Sequence, residues 1–456
     1  MLINRTKYKS FSVIGAARSG IAAAKLLKKK GYKVFLSDFS IVEKINKDFI
    51  KEISENAIEH EFGGHSEKVF ENEVMVVSPG VPQNSAVITK AFSAGMEVIS
   101  ELELASWFCK GKIISITGTN GKTTTTTLTG KIFEDAGYKA YVCGNIGTAF
   151  CDVADDVGEE GVAIVETSSF QLDNIKSFKP YVSMLLNITP DHLDRYDKSI
   201  HNYIRSKLRV AENQDENDYF IFDYDDEVIK HSIGKVKARL IPFSINTNPG
   251  NKYEMGSYLQ DNHIIYYRED LKEDIMDAGG LMIKGQHNIY NSMASILAAK
   301  IFDIGKVSIE KTLSEFKGVE HRLEFVRKVN SIKFYNDSKA TNVNSVWYAL
   351  QGFPEPIILI LGGRDKGNDY TEIEKEVRKY VKHIIAIGES RDKVYNFFKD
   401  IVPTTLADDM TDAVKKAFKA AGENNIVLLS PACASFDQFD NFEHRGREFK
   451  RIINEL

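Results

Sequence analysis

The sequence predicts an α/β fold of three consecutive domains. These are an N-terminal Rossmann-like domain (1–100), a central P-loop-type ATPase domain with a mostly parallel sheet (101–318), and a C-terminal Rossmann-like domain (319–456). Three observations predict it. Apolar strand candidates alternate with helical patterns along most of the chain, as βαβ units require. That alternation restarts twice, at "KIISITG" and after "FKGVEHRLE". The 456 residues also suit three domains, at roughly 150 residues each.

Composition narrows the function classes. With 43% hydrophobic and 27% charged residues, a soluble, core-forming protein is expected. A net charge of −5 without a long basic run gives no reason to invoke nucleic acid. The four cysteines (Cys109, Cys143, Cys151, Cys433) have neither disulfide nor zinc spacing, which fits a reducing, cytoplasmic location. "MLINRTKYKSFSVIG" lacks the apolar stretch of a secretion signal. No run of about 18 apolar residues predicts a membrane span.

In the first region, the strand candidate "SFSVIG" runs into a turn and the helix-like "SGIAAAKLLKKKGY", then a second strand, "KVFLSD". "EVMVVSPG" and "MEVIS" continue the alternation. Gly15-Ala-Ala-Arg-Ser-Gly20 resembles a dinucleotide fingerprint, with Asp38 placed 18 residues after Gly20 as a ribose ligand would be. Ala17 stands where the middle glycine is expected, which weakens the nicotinamide reading. A different nucleotide diphosphate, or a tight turn binding nothing, are the other two readings.

The second region opens on "ITGTNGKTTTTT". The ordinary phosphate loop is Gly, four residues, then Gly-Lys-Ser/Thr; here Ile116 holds the first glycine's place. Gly118 and Gly121 still allow backbone shapes that present N–H groups to phosphate. Lys122 reaches the β/γ oxygens and Thr123 offers a hydroxyl to Mg2+. Glu166, ending the strand candidate "GVAIVETSS", is a metal ligand or a capped strand end. His192 in "NITPDHLDRY" is structural or holds a second cation, and Lys207 reads by itself as a solvated helix lysine. Residues 215–285 hold short β-like pieces such as "HIIYYRED", before the helix candidate "HNIYNSMASILAAKIFDIG". The third region alternates "PIILILGG", "HIIAIG" and "NIVLLSP" with helices.

"GTNGKTT", "ETSSFQLD", "NITPDHLDRY", "GQHNIYN", "EHRLE" and "NDSKATN" are similar, in order, to the motifs of the Mur ligase family. The resemblance runs from "GAARSG" to "FEHRGREF", and the shortened phosphate loop is that family's version. It implies an ATP-dependent amide-bond former of peptidoglycan synthesis. Its first domain binds a UDP-linked substrate, the second ATP and the third an amino acid.

By resemblance, Gly118, Thr119, Asn120, Gly121, Lys122, Thr123 and Thr124 hold the phosphates, and Asn288 and Asn291 meet the adenine end. Arg322 and Asp337 approach ATP from the third domain. Thr123 and Glu166 hold one Mg2+; His192 and a carbamylated Lys207 hold a second, so Lys122, His192 and Lys207 form the catalytic set. Arg18, Ser19, Asp38, Ser78, Gly80, Asn145 and His192 match positions that contact the UDP-linked substrate. "NDSKATN" and "SPACASFDQFDNFEHRG" resemble the D-glutamate-adding branch, with Thr341, Lys366, Ser435, Phe436 and Phe442 about the amino acid. The substrates implied are UDP-N-acetylmuramoyl-L-alanine, D-glutamate and ATP, and a monomer is the expectation. The alternatives are another ligase of the superfamily (an L-alanine-adding enzyme or a folylpolyglutamate synthase), a nicotinamide-dependent oxidoreductase using "GAARSG", and a nucleotide-gated binding protein.

Overall fold

A computed structural model describes residues 8–191, 193–365 and 367–456; His192 and Lys366 therefore lie outside the described residues. Three sheets follow one another along the chain. The first contains β1 (Ser10–Ile14), β2 (Lys33–Asp38), β3 (Glu59–Phe62), β4 (Val74–Val77) and β5 (Glu97–Ser100), in the order 3-2-1-4-5. All its pairings are parallel. Its apolar runs are continuous because helices cover both faces. Val13, Leu36, Val76 and Ile99 feed one core cluster, while their neighbours Ile14, Phe35, Val77 and Val98 feed another, as the two-residue period of a strand dictates. The edge strand β3, "EHEF", is exposed or half-buried and carries no apolar run to betray it.

The central sheet holds β6 (Lys112–Thr117), β7 (Ala140–Gly144), β8 (Val162–Glu166), β9 (Val182–Leu185), β10 (Tyr219–Asp223), β11 (Arg239–Ser244), β12 (Met255–Gln260), β13 (His263–Arg268) and β14 (Leu271–Asp277). Their order is 14-13-12-11-10-9-6-8-7. Only the β12–β13 and β13–β14 pairings are antiparallel, so the polar stretch before residue 278 extends a parallel sheet with an antiparallel meander. The last sheet comprises β15 (Glu324–Val329), β16 (Ile332–Asn336), β17 (Ile357–Gly362), β18 (Val381–Ile387), β19 (Thr404–Leu406) and β20 (Ile426–Leu429), ordered 15-16-20-17-18-19. The fold is three-domain α/β, and its contacts group into two compact units. Met1–Ala278 with Tyr290–Leu313 form one; Gly279–Ile289 with Ser314–Leu456 form the other.

The first two sheets thus share a unit, and buried polar chemistry joins them. After β5 the helix Glu101–Phe108 carries Glu103, which is fully buried. Its carboxylate accepts from the backbone N–H groups of Lys176, Ser177 and Phe178 at 2.9, 3.0 and 2.7 Å, and from Trp107 Nε1 at 2.7 Å. Lys25 and Lys29, on the helix Arg18–Lys29, pair with Asp152 and Asp155 at 3.4 and 2.9 Å.

Candidate active site

The sites lie beyond the C-terminal ends of parallel strands where strand order changes direction, the usual ligand position in such sheets. In the first sheet that point is β1. The turn after it needs its glycines. Gly15 has φ +103, and a Cβ on Gly20 would stand 1.8 Å from the Gly15 carbonyl oxygen. Ala17 has φ −108, an ordinary extended value, so no glycine is needed there for backbone conformation. The Asp38 carboxylate accepts from Ala16 N–H and Ser40 N–H at 2.6 and 2.7 Å, which locks the turn to the end of β2. Arg18 reaches into the central sheet's loops and donates to the carbonyls of Gly147 and Asn145 at 2.7 and 3.0 Å.

These contacts frame a cavity of about 810 Å³, within the usual range for small-molecule sites. Arg18, Ser19, Asp38, Ser78, Gly80 and Asn145 all line it. Sequence reasoning missed Phe39 and His65 in the same wall. Phe39 is 78% exposed, and a large aromatic left open inside a cleft is a signal only the structure supplies. His65 Nδ1 lies 2.7 Å from Ser37 Oγ, and burial lowers its pKa.

The phosphate loop joins β6 to the helix Lys122–Asp135. Gly118 has φ +155 and Gly121 has φ +81; a Cβ on Gly121 would lie 2.4 Å from Asn291 Oδ1. Asn187 braces the loop, its Oδ1 accepting from Asn120 N–H at 2.8 Å and its carbonyl from Thr119 N–H at 3.0 Å. Lys122 Nζ donates to the Gly118 and Thr119 carbonyls at 2.9 and 2.8 Å. Thr123 and Thr124 are buried in the first helical turn, whose N–H groups have no acceptor within the helix. Thr126 and Thr127 return their hydroxyls to the carbonyls of Lys122 and Thr123. Thr125 Oγ1 donates to Asn291 Oδ1 at 3.1 Å.

Two charged side chains are buried beside this loop. Glu166 ends β8 and is 2% exposed. Its Oε1 accepts from Asn145 Nδ2 at 2.8 Å, so the loop that closes the cavity also touches this acid. Oε2 is buried and has no hydrogen-bond partner among the described residues, although buried carboxylate oxygens are normally paired. Lys207, on the helix Ile200–Leu208, corrects the reading of a solvated lysine, because it is 2% exposed. The helix packs that face inward, and Nζ donates to the Gly118 carbonyl at 2.7 Å and lies 4.6 Å from the Tyr203 ring centre. Burial first, and the charge of Lys122 second, push its pKa well below the ordinary lysine value, against Asp191 and Glu166.

In the second unit, Asp337 follows β16 and is 4% exposed. It accepts from Leu323 N–H at 3.2 Å and Ser430 Oγ at 2.8 Å. Burial raises its pKa to about 7, with Arg322 pulling the other way. Asn288 is buried, and its Nδ2 donates to the Lys284 carbonyl at 2.8 Å. Thr341 N–H donates to the Lys339 carbonyl at 3.0 Å. Ser435 is buried and Phe436 is 60% exposed. Phe442 opens the last helix, and its carbonyl accepts from Ser338 Oγ at 2.8 Å. Arg445, which the sequence did not single out, ties these segments together. Its guanidinium donates to Ser338 Oγ, the Ser338 carbonyl and the Cys433 carbonyl at 2.9, 2.7 and 3.0 Å. Glu320, His321 and Glu324 cluster nearby, but the Lys450 ammonium already bridges the two glutamates at 2.5 and 2.8 Å, so the group is an ion-pair network.

This arrangement is that of an ATP-dependent ligase: a phosphate loop, a buried acid and a buried lysine stand beside a second, nucleotide-sized cavity. Three family profiles match the chain: the Mur ligase middle domain over residues 116–299, the Mur ligase glutamate ligase domain over 321–433, and the MurD N-terminal domain over 12–87. Among solved structures, the chain is similar to a UDP-N-acetylmuramate–alanine ligase from Thermotoga maritima, 16% identical with a TM-score of 0.61 over 98% of this chain and 99% of that one. A MurF ligase from the same organism, in complex with ADP, is 13% identical with a TM-score of 0.59 over 92% and 95%; likeness at these identities shows the fold. The UDP-N-acetylmuramoylalanine–D-glutamate ligase of Chloroherpeton thalassium is 45% identical over 99% of both chains. The chain belongs to the Mur ligase family, on its UDP-N-acetylmuramoylalanine–D-glutamate ligase branch.

Proposed function

We propose that this protein is the ATP-dependent ligase that joins D-glutamate to UDP-N-acetylmuramoyl-L-alanine, releasing ADP and phosphate, in peptidoglycan precursor synthesis. The observation that carries the reading is the Lys207 amine, buried and held 2.7 Å from the Gly118 carbonyl of the phosphate loop. Holding a nucleotide needs no such lysine, so a buried amine beside the loop supports a further chemical task there, and the family resemblance makes that task carboxylate activation. The name of the 45%-identical relative supports D-glutamate as the amino acid.

A carboxylate is inert to amines because oxide is a poor leaving group. The substrate's carboxylate oxygen attacks the γ-phosphorus of ATP, ADP departs, and an acyl phosphate remains. The amine of D-glutamate then attacks the acyl carbon, loses a proton, and phosphate leaves with the oxygen that bridged carbon and phosphorus. Such transfers depend on positioning and on cations that neutralise developing charge. Gly118 to Thr124 cradle the phosphates, with Lys122 turning from the loop carbonyls to the β/γ oxygens. Asn288, Asn291, Arg322 and Asp337 are assigned to ATP by the family resemblance.

The donor set at Glu166 fits one Mg2+ ion, and the family resemblance implies a second. Glu166 has a buried oxygen without a partner, and hard cations prefer oxygen ligands. Thr123 and Glu166 would hold one ion, and His192 with Lys207 the other; bound there, Mg2+ would screen the phosphate charge. A lysine serves as a ligand once its neutral amine nitrogen adds to CO2 and releases a proton, which leaves an anionic carbamate. The lowered pKa of Lys207 supplies that neutral amine.

Residues 1–100 form the domain for the UDP-linked substrate, with Arg18, Ser19, Asp38, Ser78, Gly80, Asn145 and His192 as contacts. Residues 101–318 form the ATP domain, and 319–456 hold D-glutamate through Thr341, Lys366, Ser435, Phe436 and Phe442. The protein works as a cytoplasmic monomer. None of the described helices is long and apolar enough to cross a membrane. The test is an amino-acid screen that reads phosphate release with ATP and the UDP-linked substrate. Release with D-glutamate alone supports the assignment; equal release with L-alanine or a diamino acid overturns it.

A further inference from the structure

Arg195 lies in "NITPDHLDRY", and neither the phosphate loop nor the metal ligands account for it. Its guanidinium reaches from the central domain to the loop after β4. Nη1 donates to the Pro79 carbonyl at 2.8 Å and Nη2 to the Val81 carbonyl at 3.1 Å. The cation rests 4.0 Å from the centre of the Phe170 ring, which stacks on Tyr196 at 6.1 Å. The Tyr196 hydroxyl lies 3.2 Å from both Asp173 Oδ2 and Ser206 Oγ. Ser206 immediately precedes Lys207. One side chain therefore links the layer that carries the buried lysine to the rim of the first domain's cavity.

Peptide geometry gives that link a consequence. In a trans peptide unit the C=O and N–H point in opposite directions, and no cis bond occurs among the described residues. The Pro79 carbonyl and the Gly80 N–H belong to one such unit. Holding the carbonyl on a cation turns the N–H away from Arg195 and polarises it as a donor. Gly80 lines the cavity, and a Cβ built on it would meet nothing within 4 Å. The Val81 carbonyl belongs to the bond before Pro82, which has no N–H, so its contact with Arg195 serves only to hold the loop in place.

We propose that Arg195 is a positioning residue for the UDP-linked substrate: by pinning the Pro79 and Val81 carbonyls it aims the Gly80 N–H at an anionic oxygen of that substrate and registers the substrate against the phosphate loop. The inference rests on the function proposed above, and one experiment separates the two. Wild type, Arg195→Met and Arg195→Lys are compared in kcat, in KM for the UDP-linked substrate and for ATP, and in melting temperature. Wild type lacking D-glutamate-dependent phosphate release overturns the proposed function itself. With that activity present, Arg195→Met raises KM for the UDP-linked substrate roughly ten- to hundredfold, as loss of an aimed donor to a charged group should. KM for ATP and the melting temperature stay near wild type. Arg195→Lys, which keeps the charge but loses the fork, falls between. An unchanged KM for the UDP-linked substrate, or a parallel rise in both KM values with a lower melting temperature, overturns the inference. If Arg195→Met does not fold, Arg195→Lys is judged by the same split.

Discussion

Burial first, and the neighbouring Lys122 ammonium second, favour the neutral amine at Lys207, although its Nζ donates to a phosphate-loop carbonyl and lies over the Tyr203 ring. Lys207→Ala should abolish nearly all ligase activity, and a short carboxylic acid should restore part of it by replacing the missing anion. Steady-state turnover with and without acetate checks this, and an active unassisted variant contradicts it. Glu101 is a second residue whose surroundings decide its charge. It is 1% exposed, its Oε1 accepts from Cys151 N–H at 2.6 Å, and burial raises its pKa from 4.5 to about 7. The folded state therefore keeps the proton longer than the unfolded chain, so this group's contribution is full below about pH 4.5 and lost as pH rises through 7. Glu101→Gln mimics the protonated form and should remove a decline of up to about 3 kcal/mol over that window. Chemical denaturation at pH 5 and pH 8 measures it, and an unchanged difference between the two would count against the assignment. Neither residue is legible by itself in the sequence. "YIRSKLRVAEN" shows a lysine among other polar residues, and only the packing of its helix against the loop makes it exceptional.

At the scale of elements, most strands were legible because a buried parallel sheet writes unbroken apolar runs, as "PIILILGG" does in β17. Some were not: β3 pairs only along one side and carries polar residues, and β7, β15, β16 and β19 were not singled out either. The phosphate loop was legible because its glycines are demanded by backbone shape: Gly121 at φ +81 admits few other residues. The helix Glu101–Phe108 was not marked as a fastener between sheets. Glu103 within it meets Trp107 locally, but its main partners, the backbone N–H groups of residues 176–178, lie more than 70 residues away, and it caps that turn with a buried carboxylate. Glu103→Ala strands those N–H groups. The expected loss is about 3–5 kcal/mol of stability, read as a lower denaturation midpoint; a loss under about 1 kcal/mol would show that water replaces the carboxylate without penalty.

For the whole molecule, the order of the motifs carried the family, but their meeting in space did not follow from that order. Asn145 lines the cavity of the first domain and also donates to Glu166 beside the phosphate loop, a junction between segments that no local pattern encodes. It places the cavity beside the phosphate loop, as the proposed transfer of a phosphoryl group to a carboxylate requires. The most direct measurement uses UDP-N-acetylmuramoyl-L-alanine labelled with 18O in its free carboxylate. An acyl phosphate route places one 18O atom in the phosphate released when D-glutamate is added, because the bridging oxygen leaves with phosphorus. Released phosphate without label, at the same yield of amide, would contradict carboxylate activation by phosphoryl transfer.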